Sequence, residues 1–188
     1  MSVVEIGYRS RSCSHGRGVW LEDMALVEES IQKDALLSYA AGRGFETMVK
    51  PLLANENVYV NTRDDHGRTP LWKAAEGGRE AVVKLLLACE DVQADAKDDH
   101  RQTPLWKAAE EGNREVFKLL LDRKNVYTDT KDEYGRTPLW KAAEGGHRAV
   151  VNLLLVYKTI LGKDAYTNAK DDHGRTPLWK AAAGGIGK

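Results

Sequence analysis

The chain has 188 residues, of which 42% are hydrophobic and 30% are charged, a composition typical of a folded protein with a buried core. Its 28 basic and 28 acidic residues give a formal net charge of zero. Proteins that neutralise several phosphates usually carry a basic excess, so this balance disfavours nucleic-acid binding and attachment to a membrane surface through a polybasic segment.

Two segments precede the repetitive part of the chain. Residues 1–18 have no hydrophobic periodicity and are predicted to be disordered. Residues 19–34 are predicted to form a capping helix over the first repeat, because four apolar residues share one helical face. These four are Trp20, Met24, Val27 and Ile31. The alternative is a helix that binds a partner or joins an upstream domain.

From residue 35 onward the chain repeats itself. The sequence Thr-Pro-Leu-Trp begins at residues 69, 103, 137 and 176, at spacings of 34, 34 and 39 residues. A degenerate copy lies upstream in register, and the last copy is truncated after its first helix. The predicted units are 35–68 (degenerate), 69–102, 103–136, 137–175 and 176–188 (truncated).

Each complete unit predicts two short helices. In the second unit, Thr69 is a good N-cap and Pro70 suits the first helical turn, where its missing N–H has no intrahelical role. Leu71, Ala74 and Ala75 then form an apolar stripe. A second helix with a face of valines and leucines follows. Isolated helices of about eight to ten residues are marginal in water, so the pairs are expected to stack on their neighbours.

Glycines mark the turns of the repeat. One position is glycine in every copy, at residues 44, 78, 112, 146 and 185, which predicts a left-handed residue after the first helix. A second glycine, at residues 67, 135 and 174, is replaced by Arg101 in one copy. If this position requires positive φ, Arg101 is strained by roughly 1 kcal/mol.

The fourth unit has five additional residues within the segment 156–168. Ile160 and Leu161 continue the apolar face of its second helix, and Gly162 is placed to end it. This helix is therefore predicted to be about one turn longer than its counterparts.

The unit D-x-x-G-x-T-P-L-x-x-A-A-x-x-G, followed by V-V-K-L-L-L, resembles the ankyrin repeat. The resemblance covers about residues 35–188, and the near-identical copies also resemble arrays attached to large fungal multidomain proteins. It implies an all-α fold, an ankyrin-type solenoid of stacked antiparallel helix pairs with short β-hairpin-like fingers. The implied activity is binding other proteins, without a cofactor.

The copies depart from the family pattern where a tryptophan replaces the usual histidine, at residues 72, 106, 140 and 179. Two interpretations are open: the indoles pack between helix pairs with each N–H bonded to a carbonyl, or their edges are exposed hot spots. A lysine follows each tryptophan, at residues 73, 107, 141 and 180. These lysines form either a basic stripe opposed by glutamates or i,i+3 pairs on a solvated face.

The expected partner-binding residues lie in the polar fingers, which are the segments 62–68, 96–102, 130–136 and 169–175, and include three of these lysines. They are Asp65, His66, Arg68, Lys73, Asp99, His100, Lys107, Glu133, Tyr134, Arg136, Lys141, Asp172, His173 and Arg175. The finger histidines recur beside aspartate pairs, but packed repeats lie about 10 Å apart, too far for two of them to share a metal. They are therefore interpreted as solvated turn residues.

The chain carries no nucleotide-binding, zinc-protease or serine-hydrolase motif and is not expected to be an enzyme. Cys13 and Cys89 form no disulfide framework or zinc motif. With no secretory signal or membrane span, the chain is expected to be intracellular, in cytoplasm or nucleus.

The favoured function is a non-catalytic, monomeric scaffold that binds another protein through its concave face and finger tips. The alternative is a structural spacer, or a fragment of a larger multidomain sensor, with no ligand of its own. The near-identical fingers favour this second hypothesis.

Overall fold

The computed structural model describes residues 32–161 and 167–185, and within these ranges every regular element is a helix. The helices are α1 (32–43), α2 (Glu46–Leu53), α3 (Pro70–Glu76), α4 (Glu80–Leu87), α5 (Pro104–Glu110), α6 (Arg114–Leu121), α7 (Pro138–Glu144), α8 (Arg148–Leu161) and α9 (Pro177–Gly185). The expected all-α fold is confirmed. The predicted disordered segment 1–18 and residues 19–31 of the predicted cap lie outside the described residues.

The helices stack in two rows, as the repeat predicts. The first helices contact one another in the order α3, α5, α7 and α9, and the second helices in the order α2, α4, α6 and α8. Within each repeat the first helix also packs on the second. One continuous apolar core runs through these contacts, from Leu37 in α1 to Leu154 in α8. Each repeat is therefore stabilised by its immediate neighbours.

The predicted N-caps are present in four repeats. The side chains of Thr69, Thr103, Thr137 and Thr176 each accept a hydrogen bond from the backbone N–H of the tryptophan three residues later, at 3.2 or 3.3 Å. A proline follows each threonine at the start of the helix. Local sequence chemistry therefore fixes where the first helices begin.

The recurrent glycine after the first helix is left-handed, as predicted, at residues 44, 78, 112 and 146, with φ between 64° and 80°. The site is also crowded by the next repeat. A Cβ on Gly78 would lie 2.8 Å from Oδ1 of Asn113. The Nδ2 of Asn113 donates across this glycine to the carbonyl of Ala75 at 2.9 Å. Glycine is favoured there by its left-handed conformation, and a side chain would also displace the Asn113 amide.

The same backward contact recurs along the array and was not predicted. Arg79 Nε donates to the carbonyl of Gly42 at 3.2 Å, and His147 Nε2 bonds to the carbonyl of Glu110 at 2.8 Å. With Asn113, these side chains satisfy carbonyl groups at the end of the preceding first helix. They tie each repeat to the one before it.

Helix α8 is longer than its counterparts, as predicted. It has 14 residues, against 8 in α4 and 8 in α6. The difference is closer to two helical turns than to the single turn expected, since a turn holds about 3.6 residues. The helix ends at Leu161. Gly162, the predicted stop, lies outside the described residues.

The end of the described array shows how much of a first helix the following repeat buries. Leu139 and Trp140 of α7 are 4% and 2% exposed, because α9 packs on them. The equivalent residues of α9, Leu178 and Trp179, are 75% and 51% exposed. Burial of these side chains therefore depends on the following repeat and not on the helix that carries them.

The fingers are tight turns. The described residues contain no strand, so the β-hairpin part of the prediction is not confirmed. Gly67, Gly135 and Gly174 have φ near 73° (72°, 74° and 73°), and Arg101 has φ of 62° at the same position. The predicted left-handed arginine is therefore present, with the strain that a side chain brings to this region.

A neighbouring acid normally occupies the space above the finger glycine. A Cβ on Gly135 would lie 2.5 Å from Oδ1 of Asp172 in the next finger. Next to Arg101 the corresponding acid is Glu133, whose carboxylate instead bonds to Nδ1 of His100 at 2.8 Å.

We expect Arg101→Gly to raise the free energy of unfolding by about 0.5–1 kcal/mol, because it removes left-handed strain at the expense of some unfolded-state entropy. The measurement is the midpoint of urea unfolding at constant m-value. Gly135→Ala is the matched control and should lower stability by about 1 kcal/mol or more. Equal or lower stability of Arg101→Gly would contradict the assignment of strain.

Candidate protein-binding surface

The first acid of each finger pair organises the turn. Oδ1 of Asp64 accepts hydrogen bonds from the backbone N–H groups of His66 at 3.0 Å and Arg68 at 2.9 Å. We call the four equivalent residues the turn aspartates: Asp64, Asp98, Asp132 and Asp171. Because these carboxylates bond to their own loop, they fix the finger backbone and leave the second acid at the surface.

Only the second acid of each pair was predicted to bind a partner, and the particular role of the first acid in the turn was not identified. A distinction was nevertheless visible, since the first acid is aspartate in every copy and the second becomes glutamate in Glu133. An Asx turn requires the short side chain, whereas a solvated position tolerates either acid.

Three predicted binding arginines support the turns. Nε of Arg68, Arg136 and Arg175 donates to Oδ2 of the turn aspartate in its own finger, at 2.9, 2.7 and 2.8 Å. Each guanidinium also lies 5.5 Å from the indole centroid of the tryptophan four residues later. These arginines therefore join the finger to the first helix of its repeat.

Charge pairing lowers the pKa of two turn aspartates, Asp64 and Asp171. Burial opposes ionisation of Asp64, but hydrogen bonds from Arg68 and Lys73 outweigh it and hold the pKa below its usual value. The pKa of Asp171 is lowered in the same way, with Arg175 overcoming burial. In the second finger Gln102 replaces the arginine, and burial raises the pKa of Asp98.

The residues at the finger tips form a continuous exposed row. Successive tips are joined by one backbone bond each, in which residues 99, 133 and 172 donate to the carbonyls of residues 66, 100 and 134 at 3.1 Å. The tip residues, all of them exposed, are Asp65, His66, Asp99, His100, Glu133, Tyr134, Asp172 and His173. The structure therefore brings together eight of the predicted binding residues.

A second row of charges lies beside the tips and was missed. A basic residue precedes every turn aspartate: Arg63, Lys97, Lys131 and Lys170, all exposed. Arg63 donates to the carbonyl of Lys97 at 2.6 Å, and Lys131 to that of Lys170 at 3.0 Å. The recurrence of a basic residue at this position was present in the sequence and would have identified the row.

The lysines of the first helices link successive repeats. Nζ of Lys107 lies 2.8 Å from carboxylate oxygens of Glu110 and Glu111, and 3.5 Å from Glu76 in the preceding repeat. Lys141 contacts Glu110 of the preceding repeat at 2.8 Å. We call this set the lysine ladder: Lys73, Lys107, Lys141 and Lys180.

Two lysines of the ladder are shielded from solvent. The side chains of Lys107 and Lys141 are only 13% and 12% exposed. Burial disfavours the charged form of Lys107, but Glu110 and Glu111 outweigh that effect and raise its pKa. The i,i+3 pairs considered from the sequence are present, yet they are half-buried and bridge repeats instead of lying on a solvated face.

The tryptophans pack between repeats. Trp72, Trp106 and Trp140 are 4%, 1% and 2% exposed, so the packing interpretation holds for them and the hot-spot interpretation does not. The expected N–H bond is formed by Trp106, which donates to the carbonyl of Arg136 at 3.1 Å. The indole N–H groups of Trp72 and Trp140 are buried without a partner. Trp179, at the end of the described array, is half-exposed.

Each buried indole is covered by the lysine of the next repeat. Nζ of Lys107, Lys141 and Lys180 lies 5.5, 5.3 and 5.4 Å from the centroid of the preceding tryptophan ring. Cation–π contacts of this kind contribute about 0.5–2 kcal/mol, more when they are desolvated. Lysine, indole and glutamate thus form one interlocked set along the first helices.

Other chemistry is sparse in the described part of the chain. Residues 32–161 and 167–185 contain no group of three or more His, Cys, Asp or Glu side chains arranged to hold a metal ion. Burial and the nearby Asp91 raise the pKa of the Cys89 thiol, which disfavours the reactive thiolate. No helix in the described ranges has the length and apolar character needed to cross a membrane.

Comparison with known families agrees with this architecture. The family model described as ankyrin repeats (3 copies) matches residues 37–132, 87–166 and 125–187. The chain therefore belongs to the ankyrin repeat family, whose members generally serve as protein–protein interaction modules. Comparison with curated proteins finds no match.

We expect Gln102→Arg to stabilise the array by about 1 kcal/mol at neutral pH, because it supplies the arginine that the other fingers place on the turn aspartate. The same change should move the pKa of Asp98 from above to below its usual value. Urea unfolding measures the first effect and carboxyl titration by NMR the second. An unmoved Asp98 titration would show that this finger does not adopt the common geometry.

We expect Lys107→Met to lower the free energy of unfolding by about 1–2 kcal/mol, because Glu76 and Glu111 lose this lysine, Glu110 keeps only Lys141, and the cation over the Trp72 indole is removed. Lys84→Met removes an exposed helical ion pair and should change stability by less than about 0.5 kcal/mol. Urea unfolding of both variants compares them. Equal losses would mean that Lys107 is no more than a surface charge.

Proposed function

We propose that this array binds another protein through the row of tip residues, as a monomer and without catalysis. The observation that carries the proposal is a row of exposed polar and aromatic side chains on loops that internal hydrogen bonds already fix. A surface held in this way loses little conformational entropy on binding. Membership of the ankyrin repeat family supports the same function.

The tip residues carry the specificity in this proposal. Tyr134 is 53% exposed, and the guanidinium of Arg136 lies 4.6 Å from its ring centroid. Aromatic and arginine side chains are enriched among interface hot spots. Tyr134 therefore forms the centre of the proposed site, at the one tip where tyrosine replaces histidine.

The remaining predicted binding residues have a supporting role in the proposal. Arg68, Arg136 and Arg175 hold the turns, while Lys107 and Lys141 hold successive repeats together. Lys73 is likewise paired, with Asp64 at 2.9 Å. We expect a partner to contact these residues only at the edge of the site, because their charges are already paired with acids of the array.

The partner is proposed to be a protein surface that carries charges of both signs. The acids at the tips lie beside the basic row Arg63, Lys97, Lys131 and Lys170. A uniformly charged polymer such as a nucleic acid meets attraction from one row and repulsion from the other. A mixed surface pairs with both.

The fingers are nearly identical, which suits a spacer, but the third tip differs from the other three. Glu133 and Tyr134 stand there in place of aspartate and histidine. A passive spacer has no need of distinct tips at separate positions, whereas a specific interface does.

We expect the triple variant Asp65→Ala, Tyr134→Ala, His173→Ala to weaken partner binding at least tenfold, about 1.4 kcal/mol, with unchanged stability. The partner is first captured from the native source and purified, and its affinity is then measured by calorimetry. The control variant Glu80→Ala, Glu115→Ala, Lys118→Ala alters exposed residues of second helices and should bind normally.

Two results would count against the proposal. Equal affinity of the triple variant and the wild type would remove the tip residues from the interface. If no captured protein binds the wild-type chain but not the triple variant, the spacer hypothesis is favoured.

A further inference from the structure

The loops that follow the second helices are joined by one recurring side chain. The backbone N–H of Gln93 donates to Oδ1 of Asn61 in the preceding loop at 2.7 Å. One repeat later the backbone N–H of Tyr127 donates to the carboxylate of Asp95. Both the acceptors and the donors are separated by the 34-residue period of the array. Asn61 and Asp95 therefore occupy equivalent positions in successive interfaces.

The two side chains differ in their second polar atom. Nδ2 of Asn61 also donates to the carbonyl of Asp91 at 2.7 Å, so the amide makes two bonds to the next loop. The equivalent carbonyl one period later belongs to Asn125. Oδ1 of Asp95 is buried and has no hydrogen-bond partner. An ionised carboxylate has no proton to donate, so it leaves this second bond unmade.

We propose that Asp95 is a proton-operated clasp between the loop after α4 and the loop after α6. In its protonated form the carboxyl keeps the bond from the Tyr127 N–H and donates its own proton to the carbonyl of Asn125. It then reproduces both bonds of Asn61. In its ionised form the carboxylate keeps only the first bond and carries a half-buried negative charge.

The surroundings of Asp95 favour the protonated form. Burial raises its pKa to about 6, and the negative charge of Asp129 on the next loop adds to that effect. The Tyr127 N–H and Lys97, on the same loop as Asp95, act in the opposite direction but do not offset burial. In the preceding loop, the guanidinium of Arg63 bonds to the carbonyl of Lys97.

The sign of the pH dependence follows from this shift. The pKa of Asp95 is higher in the folded chain than its ordinary value of 3.8. Its contribution to stability is therefore fully present below pH 3.8 and is lost as the pH rises through about 6. Asp64 and Asp171 have lowered pKa values and act oppositely, losing their contribution as the pH falls below 3.8.

The clasp acts on a loop that presents an aromatic side chain. Tyr127 is 64% exposed, while the adjacent Val126 is buried. A second acid, Asp34, holds the equivalent Tyr59 by accepting its N–H at 2.8 Å, and burial raises the pKa of Asp34. Protonation of Asp95 therefore holds the loop of the exposed Tyr127 more firmly and leaves the finger tips unchanged.

The test exchanges the two side chains. Wild-type chain, Asp95→Asn and Asn61→Asp are unfolded with urea between pH 5 and 8. From pH 5 to 8 the unfolding equilibrium constant of the wild type should rise, and Asp95→Asn should remove roughly three- to tenfold of that rise. Asp95→Asn should also be the more stable protein at pH 8. Asn61→Asp should add a further rise of similar size.

Carboxyl titration by NMR supplies a direct reading, with the Asp95 midpoint expected near 6 in the folded chain. A midpoint near the ordinary value of 3.8 would overturn the proposal. So would an identical pH dependence of wild type and Asp95→Asn. Loss of stability in Asp95→Asn at every pH would show that the second bond of Asn61 is not available in this interface, and the clasp would be rejected.

Discussion

Each buried tryptophan of the first helices is covered by the repeat that follows it, and the rest of the array depends on this contact. Helices of seven or eight residues, such as α3 and α4, are too short to persist alone in water. The indole of Trp106 becomes part of the core only when Lys141 and the main chain at Arg136 lie over it. Local structure and stacking are therefore formed together.

Electrostatics reinforces the same dependence. Glu110 is shared between Lys107 of its own repeat and Lys141 of the next, at 2.8 Å to each. Burial opposes ionisation of Glu110, yet the two lysines outweigh it and lower its pKa. A shared, half-shielded carboxylate is worth more than an isolated surface pair, because its ligands are held by packed helices and are weakly screened by salt. Opposite charges are thus paired between successive first helices.

Features set by residues close in sequence were predictable. The cap of Thr69 acts on a residue three positions later, and the left-handed glycines follow from the turn that they occupy. The strained Arg101 was identified by comparison with glycine in the other copies. Each of these features depends only on residues within one turn of the chain and on the conformational preferences of single residues.

Contacts between repeats were not predictable to the same degree. The repeat shows that Lys107 and Asn113 have counterparts at the same position in the other copies. It does not show that Lys107 reaches a glutamate of the preceding repeat, or that Asn113 donates to a carbonyl there. Those partners depend on how far successive helix pairs rotate and translate, which no single unit encodes. The candidate site divides in the same way. The exposure of the tip residues was predicted, whereas the arginines and lysines predicted with them are paired with acids of the array.

This division limits where specificity can reside. A residue that holds the turn or covers an indole cannot change without loss of stability, so it repeats almost unaltered along the chain. The tips have no such duty, and one of them differs from the other three, at Glu133 and Tyr134. Asp95 belongs to neither class, because it connects two repeats but carries a titrating carboxyl group where its counterpart Asn61 carries an amide. At neutral pH the ionised acid makes this interface less stable than an asparagine would, and the stability of the interface becomes sensitive to pH.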